Sequence, residues 1–171
     1  MRSVELSFEL NPNIEHHWIY ADRLCMMRVL TNIISNSVKY TEPGGRIDVL
    51  AEELPCEREG YTRLRYSVKD TGIGMSQEYL EHLFEPFSRA ESATKSGVVG
   101  TGLGMAITKS LVEHMGGTIS VQSEQGKGTE VTLEFKYKEE EPRKIRIIRK
   151  EIKNPSVTLK QKRIIDNGNR K

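Results

Sequence analysis

The sequence has few cysteines and no long apolar run. Its two cysteines, Cys25 and Cys56, have the spacing of neither a metal site nor a disulfide framework. No apolar stretch approaches the ~20 residues that cross a bilayer, and no signal peptide pattern opens the chain. The mean hydropathy is -0.53. We therefore expect a soluble protein in the reducing environment of the cytoplasm.

The chain of 171 residues is long enough for one domain and a tail. Residues 1–138 carry 15 Lys and Arg against 19 Asp and Glu, whereas residues 139–171 carry 11 against 5. We therefore predict a domain over 1–138 and a basic tail or linker over 139–171. The tail lacks interleaved aromatic residues and a clear basic face, which favours a solvated segment over nucleic-acid or anionic-membrane contact.

Alternating and helical patterns predict a two-layer α/β sandwich. Strands are predicted at residues 4–10, 47–51, 63–70, 118–123 and 129–137. Helices are predicted from a cap at Asp22 to about Tyr40, after a cap at Ser76, and across residues 103–115. We expect a mixed, mostly antiparallel sheet with these three helices on one face.

Helical spacing also predicts which side chains of the two long helices face the core. For the first helix these are Met26, Met27, Leu30, Ile33, Ile34 and Val38, and for the second Leu103, Ile107, Leu111 and Met115. Residues 88–97 are almost free of large apolar side chains, which predicts a mobile loop with a functional role.

Three polar side chains share one face of the first predicted helix. Asn32 and Asn36 are one turn apart, and Lys39 follows on the same side, opposite Leu30 and Ile34. Amide oxygens suit Mg²⁺, and lysine supplies a point charge for phosphate groups. A solvated polar face is the alternative interpretation of these residues.

Asp70 ends the third predicted strand in phase with its apolar residues. An acid on the core face requires hydrogen-bond donors, and the exocyclic amine of adenine is a suitable donor. Gly72 and Gly74 follow, and their missing Cβ atoms let a flat ring approach the backbone. The alternative is a turn in which Asp70 caps local amides.

Gly100, Gly102 and Gly104 lie between the polar loop and the last helix. Exposed amides and a helix N-terminus attract phosphate. The spacing is not that of a dinucleotide-binding loop, and Gly126-Lys127-Gly128 is not a Walker A loop. A nucleotide here would therefore be bound by another design.

In this order, these segments resemble the N, G1, F and G2 boxes of the ATP-binding domain of sensor histidine kinases. That domain belongs to the superfamily of gyrase, Hsp90, histidine kinase and MutL, which has the Bergerat-type ATP-binding fold. The segment from Phe84 to Arg89 resembles the F box, and the turn from Gly126 to Thr129 resembles the last glycine-threonine turn of the family. The resemblance covers roughly residues 1–137.

The resemblance implies binding of ATP with Mg²⁺ and a role for each matching residue. It implies Mg²⁺ on Asn36, phosphate contact from Lys39, adenine recognition by Asp70, and Tyr40 and Thr129 near the adenine. It further implies a lid at about residues 84–100 that closes on the triphosphate. The residues assigned to the lid and the nucleotide loops are Gly72, Gly74, Arg89 (near the γ-phosphate), Gly100, Thr101, Gly102, Leu103 and Gly104.

The resemblance places Asn32 one turn before the metal-binding Asn36, where the ATPases of the superfamily share a Glu that activates water. A carboxamide cannot accept a proton from water, so the resemblance implies phosphoryl transfer to a histidine, with Asn32 orienting that histidine or the metal shell. The catalytic residues implied are Asn32, Lys39 and Arg89. A nucleotide-binding module without transfer activity, an ATP-hydrolysing clamp and a nucleic-acid binder acting through the tail are the alternatives.

None of His16, His17, His82 and His114 has the helical, acidic context of a phosphoacceptor. We therefore expect a monomeric catalytic fragment of a longer sensor protein in a two-component system. Its expected partners are ATP or ADP, the histidine-bearing dimerisation domain and, downstream, a response regulator receiver domain. No nucleic-acid partner is expected.

Overall fold

A computed structural model describes residues 3–16, 19–88 and 101–139. These residues form five strands and three helices. In chain order they are β1 (Glu5–Leu10), α1 (Arg23–Tyr40), β2 (Arg46–Leu54), β3 (Tyr61–Asp70), α2 (Gln77–His82), α3 (Gly104–His114), β4 (Thr118–Glu124) and β5 (Gly128–Lys138). Arg89, Gly100, most of the predicted lid and all but the first residue of the predicted tail lie outside the described residues.

The strands form one mixed sheet in the order β1-β2-β3-β5-β4. β1 pairs with β2 in parallel, and the other three neighbouring pairs are antiparallel. The register aligns Asp70 at the end of β3 with Ile47 on one side and Thr129 on the other. The end of the central strand β3 therefore lies beside the beginnings of β2 and β5.

The helices cover one face of the sheet, and the opposite face is polar. The core between the layers contains Ile33 and Val29 of α1, Val68 of β3, Val112 of α3 and Leu133 of β5. On the outer face, side chains of neighbouring strands form ion pairs, for example Arg65 with Glu52 and Glu134. This arrangement confirms the predicted two-layer α/β sandwich.

Helix α1 begins where its capping residue predicts, but its inward face is rotated. The Asp22 side chain accepts a hydrogen bond from the Cys25 amide and caps the helix. The buried residues of α1 are Val29, Ile33 and Ser37, spaced by four. The prediction for Met27 and Val38 was wrong: these residues are 52% and 42% exposed.

Helix α3 shows the same kind of rotation. Its fully buried residues are Thr108 and Val112, whereas the predicted core residue Ile107 is exposed. Gly104, Thr108 and Val112 are spaced by four and face α1 and the sheet, because the beginning of α3 approaches α1 closely. Among the described residues, no helix is long and apolar enough to cross a membrane.

Candidate functional site

A cavity of about 280 Å³ lies between α1, the end of β3 and the beginning of α3. Its walls combine three polar regions that are far apart in the sequence. The predicted site residues that line it are Asn32, Asn36, Lys39, Tyr40, Asp70, Gly74, Thr101, Gly102, Gly104 and Thr129. Gly72 and Leu103 are adjacent to this lining without being part of it. The fold therefore brings most of the predicted residues to one place.

The two asparagines of α1 direct their amide nitrogens toward α3. Asn32 Nδ2 donates to Thr108 Oγ1 at 2.8 Å and lies 3.9 Å from Met105 Sδ. Asn36 Nδ2 lies 3.7 Å from the same sulfur. Since sulfur and hydroxyl oxygen accept these N–H groups, each carboxamide has an oriented oxygen. The solvated-face interpretation is wrong for both asparagines, which are partly buried at a helix–helix contact.

Asp70 is buried, as its phase in β3 predicts, with 6% of its surface exposed. Its Oδ2 accepts a hydrogen bond from Ser37 Oγ at 2.8 Å, and its Oδ1 accepts from the amides of Gly72 at 3.0 Å and Thr129 at 3.2 Å. These donors compensate for the loss of water around the charge. The carboxylate is therefore fixed at the cavity wall and also caps the local amide of Gly72.

The glycines beside Asp70 permit close contact within the protein's own backbone. A Cβ atom on Gly72 would lie 2.6 Å from the Tyr40 carbonyl oxygen. One on Gly74, whose φ is 61°, would overlap the Glu124 carbonyl oxygen. These glycines were predicted to give a flat ring access to the backbone, whereas the nearest atoms that exclude a side chain are the backbone carbonyl oxygens of Tyr40 and Glu124.

The two ends of the predicted lid contact each other at the cavity rim. The Phe87 amide donates to the Gly102 carbonyl at 3.1 Å, and both residues have positive φ, 67° and 72°. A Cβ on Gly102 would lie 2.7 Å from the Phe87 carbonyl carbon, so this contact requires glycine. Arg89 and Gly100 belong to the segment outside the described residues.

Several lining residues were missed by the sequence argument. Ser37 is the informative one among them, and Thr108, which does not line the cavity, was missed as well. Both are buried polar residues that bond directly to predicted site residues. Each lies four residues after an inward-facing residue of its helix, Ile33 or Gly104, so a polar residue on a buried helical face was the available signal. The other missed lining residues are Ile33, Ile73, Met75, Tyr79, Leu83, Ser88, Met105, Val121 and Val131.

The charged groups that line the described cavity are Asp70 and Lys39. Among the described residues, no cluster of three or more histidines, cysteines or carboxylates could hold a metal ion. A cation here would therefore draw most of its ligands from a bound anion and from neutral amide oxygens. Such a donor set suits Mg²⁺, which retains waters and bridges phosphates, better than it suits Zn²⁺ or Ca²⁺.

The described histidines lie away from the cavity. His16 pairs with Glu53 and Glu139, His82 pairs with Glu85, and His114 is exposed at the end of α3. His17 lies outside the described residues. Within the part of the chain that the structure covers, no histidine is placed to receive a group from the cavity.

Comparison with known sequences gives a family match over most of the chain. The family model for the histidine kinase-, DNA gyrase B- and HSP90-like ATPases matches residues 21–139. The sensor protein GacS of Pseudomonas syringae pv. syringae is 42% identical over 115 residues, which are 67% of this chain and 12% of that protein. The autoinducer 2 sensor kinase/phosphatase LuxQ of Vibrio vulnificus is 40% identical over 129 residues, 75% of this chain and 15% of LuxQ. The chain thus spans a small part of these relatives.

Solved structures share the fold. The mycobacterial sensor histidine kinase MprB matches with a TM-score of 0.63 at 23% identity, over 80% of this chain and 86% of that one. ShkA, a full-length structure in complex with AMPPNP, matches with a TM-score of 0.62 at 29% identity, over 80% and 26% of the two chains. The five-stranded sheet, the cavity and the order of the sequence motifs agree with these matches. The chain belongs to the family of histidine kinase-, DNA gyrase B- and HSP90-like ATPases, as an ATP-binding domain of the sensor histidine kinase type.

Proposed function

We propose that this chain binds ATP with Mg²⁺ and transfers the γ-phosphoryl group to a histidine on a separate dimerisation domain. The observation that carries the proposal is the buried carboxylate of Asp70 at the wall of a cavity that Asn36 and Lys39 also line. Asp70 could accept a hydrogen bond from the polar edge of a base, and Asn36 and Lys39 could bind the metal and the phosphates of a polyphosphate. The AMPPNP complex of ShkA, at 29% identity, supports a nucleotide as the ligand.

Asp70 is the proposed recognition group for adenine. An ionised carboxylate offers about four acceptor positions, and the hydrogen bonds from Ser37, Gly72 and Thr129 use three of them. These bonds hold the carboxylate rigid and leave acceptor capacity toward the cavity for an exocyclic amine. Tyr40, which lines the same cavity, is proposed to lie near the base.

Asn36 and Lys39 are the proposed groups for the metal and the phosphates. The Asn36 amide nitrogen faces Met105, so its oxygen is the atom available to Mg²⁺. When bound, Mg²⁺ would neutralise charge on the phosphate oxygens. Lys39 adds a positive charge on the same helix. Thr101, Gly102 and the beginning of α3 at Gly104 present amides and a helix N-terminus to an anion.

Asn32 favours transfer over hydrolysis. Its carboxamide lines the cavity, donates to Thr108 and cannot act as a general base toward water. In the proposed step the bond from the γ-phosphorus to the β,γ-bridging oxygen breaks, a bond to the imidazole nitrogen forms, and ADP leaves. Catalysis then rests on positioning and on charge stabilisation by Asn32, Lys39 and Arg89 rather than on proton abstraction from water.

The proposed partners follow from this chemistry. The acceptor histidine belongs to a dimerisation domain of the parent sensor, and a response regulator receiver domain would take the phosphoryl group next. We place the domain on the cytoplasmic side, where ATP is available, as a monomeric unit. The basic residues after 139 are proposed to be a linker or tail without a nucleic-acid role.

Phosphorylation in trans tests the proposal. The chain is incubated with γ-labelled Mg·ATP and a separate helical hairpin carrying an acceptor histidine, and label on the hairpin is followed with time. The expected result is label that requires the hairpin histidine and is lost with Asp70→Asn. Saturable nucleotide binding without any transfer would contradict the kinase assignment and favour a binding module.

Hydrolysis in the absence of the hairpin separates the kinase from an ATP-driven clamp. The unaltered chain is expected to release phosphate slowly, because Asn32 cannot activate water. The variant Asn32→Glu is expected to release phosphate faster, and Asn32→Gln serves as its uncharged control. Rapid hydrolysis by the unaltered chain would contradict the proposal.

A further inference from the structure

Thr108 is a buried polar residue in α3 that bonds to one of the predicted site residues. Its exposure is 1%, and its Oγ1 accepts a hydrogen bond from Asn32 Nδ2 at 2.8 Å. This bond joins α1 to α3 across a sequence separation of 76 residues. Burying a hydroxyl group costs free energy compared with an apolar group of the same size. A threonine that faces a proposed catalytic side chain from a core position therefore suggests that its hydrogen bond has a functional role.

Met105 and Thr108 form an acceptor surface for the amides of α1. They are three residues apart in α3 and face the same side, and the sulfur lies 3.9 Å from Asn32 Nδ2 and 3.7 Å from Asn36 Nδ2. A thioether sulfur accepts hydrogen bonds and cannot donate them. The amide nitrogens therefore turn to α3, and the orientation of each amide oxygen is fixed by what α3 offers.

Gly104, on the same face of α3 as Thr108, also packs against the Asn32 carboxamide. A Cβ atom at Gly104 would lie 2.7 Å from Asn32 Oδ1 and 3.2 Å from Asn32 Nδ2. The amide of Asn32 thus packs against the first residue of α3 and bonds to Thr108 one turn later. Its position is coupled to the start of the helix that is proposed to face the phosphates.

We propose that Thr108 is a positioning residue that sets the orientation of the Asn32 carboxamide and thereby the Mg²⁺-dependent part of nucleotide binding. The inference rests on the proposed function. Valine at position 108 has almost the shape of threonine but removes the acceptor at 2.8 Å. Asn32 Nδ2 then keeps only the Met105 sulfur at 3.9 Å, and its orientation is held less firmly. Groups that orient a ligating or catalytic side chain typically change metal affinity or activity by about tenfold or more when they are removed.

The first arm of the test observes the amide without any ligand. The side-chain ¹⁵N–¹H signals of Asn32 are assigned by their loss in Asn32→Ala, and their hydrogen exchange is compared in the unaltered chain, Thr108→Ser and Thr108→Val. Thr108→Ser is expected to keep slow exchange, and Thr108→Val is expected to speed it at least about tenfold. Equal exchange in all three would overturn the inference.

The second arm measures affinity for AMPPNP with and without Mg²⁺. Thr108→Val is expected to lower the gain in affinity from Mg²⁺ about tenfold, with Thr108→Ser close to the unaltered chain. In the Asn32→Ala background, the same change is expected to alter affinity less than about twofold, because its effect passes through Asn32. An undiminished effect in that background would overturn the inference.

Thr62→Val is the matched control. Thr62 is also 1% exposed, and its side chain donates one hydrogen bond, to Glu53, away from the cavity. The substitution removes that bond. Thr62→Val is expected to lower the free energy of unfolding without changing the gain in AMPPNP affinity that Mg²⁺ gives. If the unaltered, folded chain binds no AMPPNP, the proposed function fails and this inference with it; if it binds and Thr108→Val binds equally, only the inference fails.

Discussion

At the scale of single residues, two glycines of one turn differ in what surrounds them. Gly126, between β4 and β5, and Gly128, the first residue of β5, both have positive φ, 81° and 102°. Around Gly126 a Cβ would meet nothing within 4 Å, whereas at Gly128 it would overlap the Asp70 carbonyl oxygen and lie 3.1 Å from Thr71 Cα. The missing side chain of Gly128 therefore lets β5 approach the end of β3 closely, at the point where Asp70 accepts a hydrogen bond from the Thr129 amide.

This difference predicts unequal costs for the same substitution. Gly126→Ala is expected to lower the free energy of unfolding by about 1 to 2 kcal/mol, the cost of the left-handed conformation. Gly128→Ala is expected to cost roughly 1 to 3 kcal/mol more, since backbone atoms must move apart. Urea unfolding of the two variants measures the difference, and equal midpoints would contradict the account of this contact.

At the scale of elements, the alternation of apolar residues predicted all five strands, and the capping residues predicted where α1 and α2 begin. The rotation of each helix about its axis, which decides the residues that face the core, was predicted less well. The stripe predicted for α1 included Met27 and Val38, but the inward face follows Val29, Ile33 and Ser37, because α1 turns a polar residue toward Asp70. A stripe drawn from apolar residues alone misses an inward face that contains serine, although the spacing of four between Ile33 and Ser37 would have located it.

The site was predictable to the extent that its groups stand in local patterns. Asp70 is in phase with β3, and Asn32 and Asn36 share a helical face, so their convergence was expected. The partners that orient them were not, since the bond from Asn32 to Thr108 depends on how α1 packs against α3. Contacts of this kind depend on tertiary geometry that local periodicity does not contain.

In the connection between β1 and α1, the His16 side chain pairs with two carboxylates of the sheet region, and backbone hydrogen bonds of Asn11 and Tyr20 add further attachments. His16 Nδ1 lies 2.5 Å from Glu53 Oε1 of β2, and Nε2 lies 3.3 Å from Glu139 after β5. The hydrogen bond with Glu53 is the main cause of a raised His16 pKa, with Glu139 and Glu15 adding to it and burial opposing it. Desolvation would raise the pKa of Glu53, but hydrogen bonds from His16, Thr62 and the Glu15 amide lower it to about 2.

These shifts predict a pH-dependent contribution to stability. Because the His16 pKa is raised on folding, its contribution is complete below about pH 6.5 and is lost as pH rises through the folded pKa. Because the Glu53 pKa is lowered, its contribution is complete above about pH 4.5 and is lost as pH falls toward about 2. His16→Gln should therefore cost most between about pH 4.5 and 6.5, by about 1 kcal/mol or less, since the ring is 38% exposed.

Urea unfolding at about pH 5.5 and about pH 9 measures this contribution. His82→Gln is the matched control, since His82 pairs with Glu85 on an exposed helix end and joins no distant segments. The difference between His16→Gln and the unaltered chain should shrink at the higher pH. An equal difference at both pH values would contradict the ionic account of this cluster.

At the scale of the whole molecule, the last strand of the described residues ends beside the end of the family match. β5 finishes at Lys138, the Glu139 amide donates to the Gly60 carbonyl, and the family match covers residues 21–139. The core and the cavity are built from residues before that point. The basic excess of the chain lies after it.

We predict that a chain shortened to residues 1–139 keeps the nucleotide affinity and the unfolding midpoint of the full chain. The reason is that the described core and cavity contacts are made by residues before 140. Calorimetry and urea unfolding of both chains check the prediction. A shortened chain that folds and loses nucleotide affinity would show instead that the basic segment takes part in binding.

The central claim is a nucleotide site in which Asp70 recognises the base. The most direct measurement is calorimetric titration of Mg·ADP into the unaltered chain, Asp70→Asn and Ser37→Ala. The account predicts saturable binding that weakens about 10- to 100-fold in Asp70→Asn, the value of a hydrogen bond to a charged group, and less in Ser37→Ala, which keeps the carboxylate. Absence of binding by the folded, unaltered chain, or equal affinity in Asp70→Asn, would contradict it.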